Sequence, residues 1–216
     1  MNARVPLMIF ALLPLALPAA AEGNRYKLPR EYTADISPTA AYLEQQKNRD
    51  VVILDVRSVG EYADGHAPKS FNVPFPRVKG AGKDDPAYVE MSPENFVAEV
   101  KRLFPKRDTP IITMCQSGGR SVAAANLLAK EGYSNVRSVW TGYAGRPLVD
   151  VDGKPVDVNN NGVIHGVTLG EDGKPLTDLG DLDGWAGFNQ LPTTTKIDAK
   201  RVLPQFRSEY PATKGK

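Results

Sequence analysis

Ile111-Ile112-Thr113-Met114-Cys115-Gln116-Ser117-Gly118-Gly119-Arg120-Ser121 joins a short apolar run to a glycine turn holding one thiol and one guanidinium. An Ala/Leu-rich segment, Val122 to Glu131, follows and stops at Gly132. The run reads as a buried strand and the segment as a helix ended by glycine. Cys115 therefore lies beyond the carboxyl end of a strand and at the amino end of a helix. In open α/β sheets ligands bind there, because the helix offers unpaired N–H groups and the positive end of its dipole to an anion. Gly118 and Gly119 allow backbone turns that aim successive N–H groups at one point, an anion-binding nest. The expectation is a nucleophilic thiolate, with Arg120 five positions on to grip an oxyanion.

Outward from this loop, strands and helices alternate. Ser37-Pro38 is an N-cap followed by proline at the first helical position and opens a helix to about Asn48. Val51-Val52-Ile53-Leu54 reads as a buried strand ending at Asp55. Ser58 and Glu61 have the spacing of a capping box, which starts a short helix that stops near Gly65. Phe71 to Pro74 is a short extended segment, and residues 79–90 are a polar Gly/Pro/Asp loop. Ser92-Pro93 repeats the cap signal ahead of a helix with the stripe Phe96, Val97, Val100, Leu103 and Phe104. Val136 to Trp140 is the last strand of the series. The predicted class is α/β, a central mostly parallel sheet with helices on both faces.

The chain has 216 residues, 27 Lys+Arg against 25 Asp+Glu, a formal charge of +2 and one cysteine. At roughly 100–200 residues per domain this is one domain with extensions, large enough to stand without disulfides. One thiol supplies neither a disulfide framework nor a multi-thiolate zinc site, and no metal site is expected. The balanced charge argues against nucleic-acid binding, which needs a basic stripe. A content of 41% hydrophobic and 24% charged residues is that of a globular chain, not a disordered one.

Residues 1–21 carry Arg4 as the only charge, an apolar run from Val5 to Leu17, and small residues Ala19 and Ala21. This is the pattern of a secretory signal peptide cleaved before Glu22. The run is too short to span about 30 Å of hydrocarbon, so no stable membrane anchor is expected after cleavage. The expected product is exported, and periplasmic if the source is bacterial. An idle exposed thiol is a liability in an oxidising compartment, so the cysteine is either buried as structure or used.

Two stretches resemble the single-domain rhodaneses. Asp55-Val56-Arg57, Glu61-Tyr62, Gly65-His66-Ala67-Pro68 and Asn72-Val73-Pro74 are similar to that family's Asp-x-Arg, Glu-Tyr, Gly-His-x-Pro-Gly-Ala and Asn-x-Pro series. Cys115 to Ser121 resembles its active-site loop. A third stretch, Asp183-Gly184-Trp185 to Leu191-Pro192, looks like the closing helix of a rhodanese with its Gly-Trp and Leu-Pro signals. Lys69 and Ser70 depart from the family's Gly-Ala, which touches loop packing and not the chemistry.

The resemblance implies a rhodanese-like fold and sulfur transfer. Cys115 would take sulfane sulfur from a small donor such as thiosulfate, release sulfite, and pass the sulfur to a thiol or protein acceptor. No metal or organic cofactor is implied, because the cysteine persulfide carries the sulfur. Cys115 and Arg120 would be catalytic, with Gln116, Ser117, Gly118, Gly119 and Ser121 forming the substrate-binding loop. Asp55 and Arg57 would support it as an internal charge pair that braces the loops, since buried charges need partners. His66 is expected to hydrogen-bond its own loop, not to act as a base.

Two alternatives stand beside this reading. Rhodanese-fold phosphatases carry their arginine six positions after the cysteine; here the step is five, and the shorter loop suits one sulfur atom better than a phosphate. A non-enzymatic module that carries sulfane sulfur or binds a partner shares every one of these sequence features, because fold and motif do not fix function.

The predicted organisation is a signal peptide at 1–21, the domain at 22–193 with an insertion at about 147–182, and a basic tail at 194–216. The insertion holds two Asp-Gly-Lys-Pro turns twenty positions apart, at Asp152 and Asp172, each read as a β-hairpin. Asp157, Asn159, Asn161 and Gly162 match the opening positions of a calcium loop, but Thr168 stands where a bidentate Glu belongs, so an Asn/Gly turn is the reading. The insertion is a candidate to overhang the active site and select the acceptor. The tail, with six Lys/Arg against Asp198 and Glu209, is expected to pack loosely.

Overall fold

A computed structural model describes residues 27–210; the expected signal peptide and residues 211–216 lie outside the described residues. The elements are β1 (Ala34–Ile36), α1 (Pro38–Lys47), β2 (Val52–Asp55), α2 (Val59–Ala63), β3 (Phe71–Asn72), β4 (Arg77–Lys79), β5 (Val89–Glu90), α3 (Pro93–Leu103), β6 (Ile111–Met114), α4 (Gly119–Lys130) and β7 (Val136–Val139). The caps are where the local chemistry puts them. Ser37 and Ser92 accept N–H bonds from Ala40 and Asn95 with proline opening each helix, and Ser58 and Glu61 make both halves of a capping box.

Among the described residues five strands form one parallel sheet in the order β1-β7-β6-β2-β3. Alternate residues of a strand face opposite sides. Leu54 and Ile111 thus join one core with Phe96 and Val100 of α3 and Val122 and Leu128 of α4. Ile53, Ile112 and Met114 join the other, with Ala41 of α1 and Trp185. Burial on both faces is why β2 and β6 read as continuous apolar runs. β4 and β5 make a separate two-stranded hairpin, with β4 lying ahead of the polar loop and β5 at its far end.

Three expectations need correction. Residues 183–192 form turns, not a closing helix. Their N–H groups are spent elsewhere: Trp185 donates to Gly142, Ala186 to Tyr143 and Gly184 to Ala144, so no i−4 ladder develops. Trp185 is still fully buried, with its indole N–H on the Pro192 carbonyl at 2.9 Å.

The described part of the tail is not loose. Thr194 bridges to His66, Val202 pairs with Asn72 alongside β3, and Leu203 is fully buried. Tyr210 donates to Asn72 Oδ1 at 2.5 Å. Apolar residues at 202, 203 and 210 outweigh the basic composition, which governs only the side chains turned to water.

Each Asp-Gly-Lys-Pro repeat in the insertion closes on a single antiparallel bridge, Val149 to Pro155 and Leu169 to Pro175. These are tight turns with one rung each, shorter than full hairpins. The Asp157 carboxylate accepts the N–H groups of Asn161 and Gly162, and both Asn159 and Asn161 donate to Asp178.

Candidate active site

β6 ends at Met114, and the next residue delivers its sulfur to the sheet edge. Gly118 has φ +98°, a left-handed conformation that glycine adopts without strain. That turn brings the Gly118 N–H to 3.1 Å from Cys115 Sγ, and α4 begins one residue later without a side-chain cap. The loop is seated from below by residues 143–145. Tyr143 N–H donates to the Cys115 carbonyl at 2.7 Å, and the Ala144 and Gly145 N–H groups share the Gln116 carbonyl at 3.0 Å. Gly142 has φ +77°, and a Cβ there would lie 2.6 Å from the Cys115 oxygen, so the close seat requires glycine.

Arg57 spans the floor of the site. Its guanidinium binds the Asp55 carboxylate, the carbonyls of Glu61 and Gly65, and Gln116 Oε1 at 3.3 Å, and it lies 3.8 Å over the Tyr143 ring. Asp55 and Arg57 are both buried, so the pair joins the end of β2, α2 and the cysteine loop without lining the cavity. His66 is buried, stacks on Tyr62 at 3.8 Å and donates from Nδ1 to the Tyr62 carbonyl at 2.9 Å. Burial pulls its pKa below the ordinary value, so the imidazole is neutral.

A cavity of about 270 Å³ opens over the thiol, lined by Glu61, Arg77, Cys115, Gln116, Ser117, Gly119 and Arg120. Five of the seven were expected from the sequence. Ser121 was expected there too but is fully buried behind the loop, donating to the Gly118 carbonyl and accepting from Ser138. No residue of 147–182 lines the cavity, so the insertion does not overhang the thiol as expected. Instead it departs from the turn that seats the loop.

Glu61 and Arg77 are the two lining residues that sequence reasoning missed. Arg120 is bound end-on by Glu61, Nη1 to Oε2 at 2.8 Å and Nη2 to Oε1 at 2.6 Å. Arg77 Nη2 lies 3.1 Å from the same Oε2. Burial alone would raise the Glu61 pKa, but the Arg120 bonds and charge, the Ser58 N–H and the Arg77 charge outweigh it and hold the carboxyl well below the usual range. Glu61 was legible as a capping residue; its reach across to Arg120, 59 positions away, was not.

Residues 39–145 match the family model for the rhodanese-like domain, which includes the cysteine loop and ends just before the insertion. Thiosulfate sulfurtransferase 16 of Arabidopsis thaliana, a chloroplastic protein, is 35% identical over 91 residues, covering 42% of this chain and 69% of that one. The thiosulfate:glutathione sulfurtransferase of Saccharomyces cerevisiae is 31% identical over 105 residues, covering 46% and 70%. For other relatives the covered share falls as low as 45% of their length. Among solved structures, Rv0390 from M. tuberculosis aligns with a TM-score of 0.48 at 24% identity, over 76% of this chain and 99% of that one. The parallel sheet, the placement of the cysteine loop on it and the matches to relatives agree: the chain belongs to the rhodanese-like domain family.

Proposed function

We propose that the chain is an exported sulfurtransferase that works through a Cys115 persulfide. The observation that carries the reading is Cys115 Sγ at the end of β6, hydrogen-bonded by the Gly118 N–H and sharing a cavity with Arg120. The Sγ thiolate attacks the sulfane sulfur of thiosulfate. A new S–S bond forms, the bond to the sulfonate sulfur breaks, and its electron pair leaves with sulfite. Arg120 takes the sulfonate oxygens, and the Gly118 N–H, with those opening α4, stabilises the persulfide anion that results. A thiol acceptor then attacks the outer sulfur and restores the thiolate. The resemblance to proteins named for thiosulfate and glutathione supports this choice of donor and acceptor class.

The test is a thiosulfate:cyanide assay followed as thiocyanate, on the wild type and Cys115→Ser. Turnover by the wild type alone is the expected result. Turnover by neither replaces the enzyme with a sulfur-carrying or binding module, and turnover by both overturns the role of Cys115. Export rests on residues 1–21, and a mature N-terminus at Glu22 by mass spectrometry is the expected outcome.

A further inference from the structure

Arg77 belongs to none of the motifs read from the sequence. It sits on β4, in the hairpin off the main sheet, yet it lines the same cavity as Cys115. Its guanidinium is held in place by Nη1 on the Ala81 carbonyl at 2.9 Å and Nη2 near Glu61, while its Nε is buried with no hydrogen-bond partner among the described residues. A fixed guanidinium with a spare buried donor beside a reactive thiol is an unfinished anion site.

Glu61 stands between the two arginines in the place an anion would take. Its two oxygens meet the Arg120 fork as the oxygens of a sulfonate would, and one of them also faces Arg77. We propose that Arg77 and Arg120 form a two-guanidinium sulfonate subsite whose resting occupant is Glu61, displaced when the donor binds and returning to expel sulfite. The inference rests on the sulfur-transfer reading for its chemistry.

Three observations fit the exchange. The Glu61 side chain is about one-fifth exposed, so its carboxylate has water on one side. Oε2 also accepts the Ser58 N–H at 2.9 Å, a bond that favours the return of the carboxylate once the anion leaves. With Glu61 in place the pair of arginines carries one uncompensated positive charge, and with Glu61 displaced it carries two. Negative charge grows on the sulfonate as the S–S bond breaks, so two guanidiniums stabilise the departing sulfite more than the bound donor. The returning carboxylate then competes for the same donors, which keeps sulfite from attacking the persulfide and reversing the step.

The experiment titrates sulfite into Cys115→Ser protein by calorimetry at fixed ionic strength, so that binding is read without turnover. Glu61→Gln in that background should tighten sulfite about tenfold, and Arg77→Gln should weaken it about tenfold, the size of one charge-assisted hydrogen bond. Arg77→Lys should recover part of the loss. Unchanged or weaker binding in Glu61→Gln, or unchanged binding in Arg77→Gln, overturns the proposal. Circular dichroism checks folding; if Glu61→Gln does not fold, the two Arg77 variants decide by themselves. A wild type that binds sulfite in this pattern but makes no thiocyanate would defeat the sulfur-transfer reading and leave the anion subsite standing.

Discussion

The Asp55 carboxylate receives three hydrogen bonds from the Arg57 guanidinium, two from Nε at 3.0 and 3.1 Å and one from Nη2 at 2.7 Å, with both side chains out of solvent. Removing one partner of such a pair strands a buried charge. Asp55→Ala should therefore destabilise the fold by about 3–5 kcal/mol, read as a lowered urea midpoint. Because Arg57 also holds Gln116, the same variant should lose the proposed sulfur-transfer activity at temperatures where it is still folded. A stability change under about 1 kcal/mol would show that the pair is worth little here.

Gly118→Ala puts a Cβ on a residue at φ +98°. The strain is about 1–2 kcal/mol, and its relief moves the N–H that now reaches Cys115 Sγ. Expected is a fall in kcat of about tenfold with a smaller change in stability, since one misplaced donor costs that much or more at a developing anion. Steady-state kinetics alongside thermal melts separate the two effects.

Truncation after Lys200 removes Val202, Leu203 and Tyr210, all buried. At about 1.5–3 kcal/mol for each buried aliphatic side chain, loss of the first two alone should cost about 3–6 kcal/mol. A loosely packed tail would make the truncation silent in the same melt.

Acid should destabilise the protein in two windows. His66 has a folded pKa below its unfolded value of 6.5, so its contribution is complete above that pH and is lost as pH falls through it. Glu61 also has a lowered folded pKa; its contribution is complete above about 4.5 and is lost as the solution is acidified below that value. Urea midpoints measured from pH 7 to 3 should fall in both ranges. His66→Gln should flatten the upper one and leave the lower one in place.

Local chemistry made much of this architecture readable. Ser37, Ser58 and Ser92 cap helices through atoms three residues away, and β2 and β6 announce themselves because burial on both faces demands unbroken apolar runs. Cys115 was legible because a thiol between a strand and a glycine-opened helix has few structural uses. β1 was not, since its three mostly exposed residues are a strand only by pairing with β7 about a hundred positions on. Arg77 was not, because a hairpin off the sheet carries it to the cavity. The closing helix misled through resemblance alone: the Gly-Trp and Leu-Pro signals are present, but the N–H groups around Trp185 belong to the turn at 142–145.

The two outer strands of the sheet share one property. Among the described residues β1 pairs only with β7, and the outer edge of β3 is met by Val202 through the bond from the Asn72 N–H to the Arg201 carbonyl. Both edges are short, and one is covered by a segment from more than 120 residues away. A nascent chain released anywhere before that segment would leave β3 with unpaired backbone groups, the template on which chains join edge to edge. Completion of the sheet thus waits on a pairing between residues about 130 positions apart, a long-range closure of the kind that slows folding.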